Sequence, residues 1–194
     1  MSEVIKIANC SGFYGDNLSI AKKMVQGGPI DVLTGDYLAE LTMTILYNQK
    51  MKRGENLGYV GTFLKQFKDV AKLCNDQKIK IVSNAGGLNP ASMAAEVENI
   101  ISELNLDLKV AYIDGDDLMP RLDELSSSGE KLKNIDKNND LFSYEKKPLT
   151  ANAYLGAWGI KEALDNGADV VICPRVTDAA VVIGPAAWKF NWSR

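Results

Sequence analysis

The chain has 194 residues, 46% of them hydrophobic, a net charge of -3 and no histidine. Its acidic balance, with no basic stripe, excludes nucleic acid as a primary partner, and no apolar run approaches the ~20 residues that span a bilayer. The missing histidine removes the commonest general base, the usual triad member and any His-based metal site, which leaves carboxylates, Lys, Tyr, Cys, Arg and backbone dipoles to carry any catalysis.

Met1 to Cys10 alternates polar and apolar, and Val4 to Ala8 predicts a first strand rather than a secretory signal. A helix follows, capped by Asp16 or Asn17 and striped by Leu18, Ala21 and Val25, until Gly27-Gly28-Pro29 ends it. Ile30 to Thr34 predicts the second strand, and Leu38, Leu41 and Ile45 stripe the next helix. After a glycine-rich loop from Gly54 to Gly61, Phe63, Phe67, Val70 and Cys74 mark an amphipathic helix. Ile79 to Val82 is the third strand, and Met93, Val97, Ile101 and Leu104 stripe the helix behind it.

Val110 to Ile113 is the fourth strand, trailed by a short helix with Leu118, Leu122 and Leu125. Between Ser126 and Thr150 the pattern dissolves into a Lys-rich, apolar-poor surface excursion or flap. Pattern returns with a helix over Ala153 to Asn166, a fifth strand over Val170 to Cys173 and a helix from about Thr177. Alternation of strand and helix throughout predicts an α/β layered sandwich, Rossmann-like, with a mostly parallel sheet of about five strands and helices on both faces. Residues 1–194 read as a single domain; the aromatic-rich end, Trp188 to Arg194, suggests the amino-terminal part of a longer protein. The three cysteines Cys10, Cys74 and Cys173 are widely spaced and predict a reduced, cytoplasmic setting.

Each strand runs into a cluster of small and polar residues, and in a parallel sheet those clusters share the carboxyl edge where such folds bind ligands. Cys10-x-Gly12-x-x-Gly15 approaches the dinucleotide fingerprint, but Cys10 replaces its first glycine and Asp16 puts a carboxylate where a pyrophosphate would sit, so NAD or FAD is not expected. The alternative is a tight turn with Asp16 as its cap. Asn84-Ala85-Gly86-Gly87-Leu88-Asn89-Pro90 offers unhindered amides at a helix start for a carboxylate, phosphate or oxyanion; equally, it is a Gly-rich turn with Asn89 as N-cap.

Asp116 and Asp117, in Asp114-Gly-Asp-Asp, suit Mg²⁺ or cap the next helix. Asp36 and Glu40 stand one helical turn apart, a spacing open to acid and base roles or to dipole capping. Arg175 and Asp178 form an ion pair, or Arg175 clamps a substrate carboxylate. The Tyr154-Leu-Gly-Ala-Trp158 stretch reads as core.

Taken in order, Ser11-Gly-Phe-Tyr-Gly-Asp16, Gly35-Asp-Tyr-Leu-Ala-Glu-Leu-Thr-Met43, the Asn84–Pro90 turn, Gly115-Asp-Asp117, Ala151-Asn-Ala-Tyr-Leu-Gly-Ala157, and Gly167 to Ile172 through Arg175-Val-Thr-Asp178 resemble the AtuA, or acyclic terpene utilisation, family. The resemblance implies a part in catabolism of branched acids as coenzyme A thioesters. It also implies that the motif positions Ser11, Gly12, Asn84, Gly86, Gly87, Asn89, Asn152 and Arg175 line a substrate pocket. On that footing Asp16, Asp36, Glu40 and Asp178 are the candidate acid/base groups, acting on an acyl or acyl-CoA ligand when the protein is complete. Two other readings compete: a non-enzymatic module assembling with an acyl-CoA carboxylase system or with itself, and a dinucleotide-dependent oxidoreductase.

Overall fold

The computed structural model describes residues 4–194, so Met1 to Glu3, the start of the alternating Met1–Cys10 stretch, lies outside the described residues. Five strands form one parallel sheet: β1 (Ile7–Asn9), β2 (Val32–Gly35), β3 (Lys80–Ser83), β4 (Val110–Tyr112) and β5 (Val170–Ile172), in the order β1-β2-β3-β5-β4. Around it lie α1 (Ile20–Gln26), α2 (Glu40–Arg53), α3 (Gly61–Gln77), α4 (Pro90–Glu103), α5 (Leu122–Ser127), α6 (Trp158–Asp165) and α7 (Ala180–Lys189).

The two-residue period of the strands divides the core into two layers. Leu33, Ile81, Val170 and Ile172 face α1, α3 and α4 through Val25, Phe67, Met93 and Val97. Val32, Val82 and Val171 face α6 and α7 through Ile160, Leu164 and Val181. The chain therefore leaves β3 towards one face and β5 towards the other. Because β3 and β5 are neighbours, their carboxyl ends form the switch point at which doubly wound sheets open a crevice.

The amphipathic stripes of α3 and α4 stand as expected, with Phe63, Phe67, Val70, Cys74, Met93, Val97 and Ile101 all buried. Three helices depart from expectation in start or face, each for a polar reason. Helix α1 starts only at Ile20, because Asn17 Oδ1 accepts the Ser19 amide at 2.9 Å and Asp16 folds back onto the preceding turn. In α2 the expected Leu41 is 72% exposed, and Thr42, Met43 and Leu46 turn inward instead. Asn84 and Arg175, just beyond β3 and β5, take the Asp36 carboxyl, the Tyr37 amide and the Leu38 carbonyl, so the helix begins at Glu40 and its inner face is rotated.

The expected helix at Ala153 begins only at Trp158. Residues 151–155 are instead stitched along the sheet edge: Leu118 N–H donates to the Ala151 carbonyl, Ala153 N–H to Asp116, and Leu155 N–H to Arg175, at 2.7, 2.7 and 3.2 Å. Between α5 and α6 the regular structure is a single short 3₁₀ turn, Leu141–Ser143, and most of that segment is exposed. No helix among the described residues is long and apolar enough to cross a membrane.

At the switch point Gly86 N–H donates to the Cys173 carbonyl at 3.0 Å. A Cβ on Gly86 would stand 2.6 Å from that carbonyl oxygen and 2.9 Å from the Pro90 Cα, both backbone atoms unable to swing aside. Gly86→Ala should therefore destabilise the fold by about 1–3 kcal/mol, the usual range for overpacking a tight site. Urea unfolding followed by circular dichroism checks this, and a midpoint equal to wild type would show that β3 and β5 are less tightly apposed.

Candidate functional site

The first strand-end turn is closed by its own acid. Asp16 Oδ2 accepts from the Gly12 amide at 2.6 Å, from the Phe13 amide at 3.3 Å and from the Ser11 hydroxyl at 3.3 Å. Ser11, Gly12 and Asp16 thus form one self-contained anion nest whose anion is Asp16. The turn meets the exit of β2 through its backbone, where the Ser11 carbonyl accepts the Asp36 amide at 2.9 Å.

The second cluster centres on Asn84, fully buried at the end of β3. Its Oδ1 accepts the Tyr37 amide at 2.8 Å, and its Nδ2 donates to Asp36 Oδ1 at 2.6 Å. The side chain therefore ties the exit of β2 to the exit of β3 and aims the Asp36 carboxyl. The amides of Gly86, Gly87 and Leu88 donate to Cys173, Asn84 and Gly58. Asn89 caps α4 by accepting from the Ser92 amide at 3.2 Å, while its Nδ2 donates to the Glu55 and Leu57 carbonyls. Of the turn's candidate residues, Asn84 alone reaches the acids, and the others hold the turn itself.

The third cluster surrounds Arg175, only 5% exposed at the end of β5. Its backbone amide donates to Asp116 Oδ2 at 3.1 Å, and the same oxygen accepts from Asn152 Nδ2 at 2.8 Å. One guanidinium nitrogen donates to the Leu38 carbonyl at 2.7 Å and lies 3.5 Å from Asp178. The other lies 3.8 Å from Glu40. The Tyr154 ring covers the guanidinium with 4.1 Å from its centroid to Cζ, in cation–π range, and the Tyr154 hydroxyl donates to Glu40.

Of these groups, Glu40 of α2, Asn152 and Tyr154 of the edge segment and Arg175 beyond β5 line a cleft of about 250 Å³ together with Met43, Thr44 and Thr150. Through Thr150 it adjoins a second hollow of about 230 Å³ whose lining is mixed, with Met51, Met119 and Leu149 facing Lys50, Glu55 and Asp117. A larger hollow of about 710 Å³ under the excursion, beside Leu132, Tyr144 and Lys146, contains none of the convergent polar groups. The cleft at Arg175 is the better site on that ground.

The family model described as "Acyclic terpene utilisation family protein AtuA" matches residues 5–194. The chain belongs to the AtuA family. Comparison with curated proteins and with solved structures finds no match. Membership ties this AtuA-family chain to acyclic terpene utilisation.

Within the AtuA-family site, sequence reading missed Tyr154 by assigning its segment to the core. It is half exposed and stands over Arg175. Its spacing from any helix stripe carries no sign of that position; only the bridge between Leu155 and Val176 sets it there. The Asp36–Glu40 pair is also split: Asp36 precedes α2 and binds Asn84, whereas Glu40 opens α2 and binds Tyr154. Asp116 is committed to Asn152 and the Arg175 amide, and Asp117 Oδ1 accepts the Met119 amide at 2.9 Å. Among the described residues no three Asp, Glu, Cys or His side chains converge as a metal would need.

Environment separates the acids. Burial pushes the Asp36 carboxyl above the usual carboxylate range, opposed by the Asn84 hydrogen bond and reinforced by the Asp178 charge. Burial raises Asp116 likewise, against the hydrogen bonds from Asn152 and the Arg175 amide. The Tyr154 hydroxyl holds Glu40 below that range. The thiols are buried and raised by that burial, Cys74 to about 12. Cys10 and Cys173 lie in opposite core layers.

A carboxyl whose folded pKa is raised keeps its proton where the unfolded chain has lost it, so its contribution to stability falls as pH rises above the usual carboxylate range. Asp36→Asn keeps an acceptor for Asn84 and removes that penalty. Its stability relative to wild type should be greatest near pH 8 and shrink towards pH 4 in denaturant titrations. A difference independent of pH would show that Asp36 is solvated in the folded state.

Proposed function

We propose that the carboxyl edge binds the acyl part of a branched acyl or acyl-CoA ligand, and that Asp36 serves it as a proton donor and acceptor. The observation that carries this reading is a buried cation beside a hollow with one apolar side. Arg175 and Tyr154 offer a positive, hydrogen-bonding surface, and the Met51, Met119 and Leu149 side of the adjoining hollow suits a hydrocarbon tail, while the Lys50–Glu55 ion pair and Asp117 line its polar side. The family's place in acyclic terpene utilisation favours a ligand of that shape.

The acids then take unequal parts. Asp36, kept protonated to higher pH than a free carboxyl by burial and oriented by Asn84, is the acid suited to exchange a proton with the ligand. Asp178 lies on Arg175 and sets the local charge that Asp36 feels. Asp16 stabilises the first turn, and the Asp116–Asn152 pair fixes the backbone of Arg175.

Incubation of the chain with octanoyl-CoA in deuterium oxide tests both halves of the reading. Wild type should bind the thioester in isothermal titration and incorporate deuterium beside the carbonyl. Asp36→Asn should bind with similar affinity and lose exchange by roughly 100-fold or more, the usual scale of general acid–base catalysis. Binding without exchange in wild type would remove the catalytic half; no binding would remove the acyl site altogether.

A further inference from the structure

The guanidinium of Arg175 is satisfied unevenly. One nitrogen meets the Leu38 carbonyl at 2.7 Å and Asp178 at 3.5 Å, while the other faces Glu40 Oε1 at 3.8 Å. That last separation exceeds the ~2.7–2.9 Å of a charge-assisted hydrogen bond. The same Glu40 oxygen accepts from the Tyr154 hydroxyl, whose ring roofs the guanidinium. Glu40 itself is the first residue of α2, and its side chain is 81% exposed. Two fixed donors, one of them on a buried cation, thus converge on a carboxylate that reaches in from solvent.

We propose that Arg175 and Tyr154 form a carboxylate-binding pair, and that Glu40 is an internal stand-in which an incoming ligand's carboxylate displaces. The proposal rests on the reading of the cleft as the ligand site and selects the free-acid form of the ligand, since a coenzyme A thioester carries no carboxylate at its acyl head. Displacement is cheap for Glu40, because its side chain is already largely in solvent, its 3.8 Å separation from the guanidinium makes only a loose ion pair, and its carboxylate regains water. The ligand's carboxylate, by contrast, would enter the cleft with its chain packed towards Met43 and Thr150. There it meets planar guanidinium donors suited to carboxylate geometry. The exchange is also near neutral in charge: one carboxylate leaves the Arg175 nitrogen as another arrives, so the ligand does not add a further anion beside Asp36 and Asp178. Tyr154 becomes a ligand-binding residue, and Glu40 a competitor rather than a base.

Titration calorimetry of octanoate with wild type, Glu40→Gln, Tyr154→Phe and Arg175→Lys tests this, with octan-1-ol as the uncharged probe and thermal melts to confirm that each variant is folded. Glu40→Gln should bind octanoate roughly fivefold more tightly, the scale of an exposed ion pair, and octanol no differently. Tyr154→Phe should bind octanoate severalfold more weakly, and Arg175→Lys by at least about tenfold, since Lys cannot reproduce the forked donors. Octanoate binding that is unchanged or weaker in Glu40→Gln, but still impaired in Arg175→Lys, would overturn the exchange and leave the cleft as the ligand site. A gain in Glu40→Gln equal for octanoate and octanol would reduce Glu40 to a steric cover and overturn carboxylate recognition. Absence of octanoate binding in both wild type and Glu40→Gln would overturn the exchange, and with octanoyl-CoA also unbound the cleft reading falls too.

Discussion

Burying the guanidinium of Arg175 obliges the fold to bring acceptors to it from separate parts of the chain, because an uncompensated buried charge costs several kcal/mol. The Leu38 carbonyl comes from beyond β2, Asp178 from the approach to α7, Glu40 from the start of α2, and the Tyr154 ring from the edge segment. Asp116, beyond β4, fixes the backbone amide. The start of α2 and the extended course of residues 151–155 both contribute to meeting that demand, alongside the hydrogen bonds from Asn84 and to Asp116 that hold each segment in place.

The switch between β3 and β5 supplies the space. Two neighbouring strands send their chains to opposite faces, so their carboxyl ends diverge above a shared floor. Gly86 lets the two chains touch at that floor through backbone atoms alone, and Asn84 spends both ends of its amide on joining β2 to β3. The rigid parts of the edge are therefore the turns after β1 and β3. The exchangeable parts are the exposed carboxylates at its rim, Glu40 and Asp178. This division suits a site where a preorganised base of donors must accept a ligand whose partners can move aside.

Much of the architecture was legible from the residues. Phe63, Phe67 and Val70 bury where their helical period puts them, and Leu33 and Val32 divide between layers as strand alternation requires. The site was legible in type more than in pairing. Arg175, Asp36 and Asn84 could be named because polar residues at strand ends share one edge in a parallel sheet. Which acid meets which donor depends on crossings of tens of residues. Asp16 and Asn89 illustrate the limit, since the same residue types at the same kind of turn serve the backbone locally.

The sequence by itself determined the α/β alternation, the absence of histidine chemistry and the family, because strand and helix periods and ordered motifs are local properties of the chain. Only the tertiary structure decided that β5 lies between β3 and β4, that Asn84 serves Asp36, and that Tyr154 roofs Arg175. Those choices turn on long-range contacts, where the cost of burying one cation and two backbone exits selects among partners that local pattern leaves equivalent.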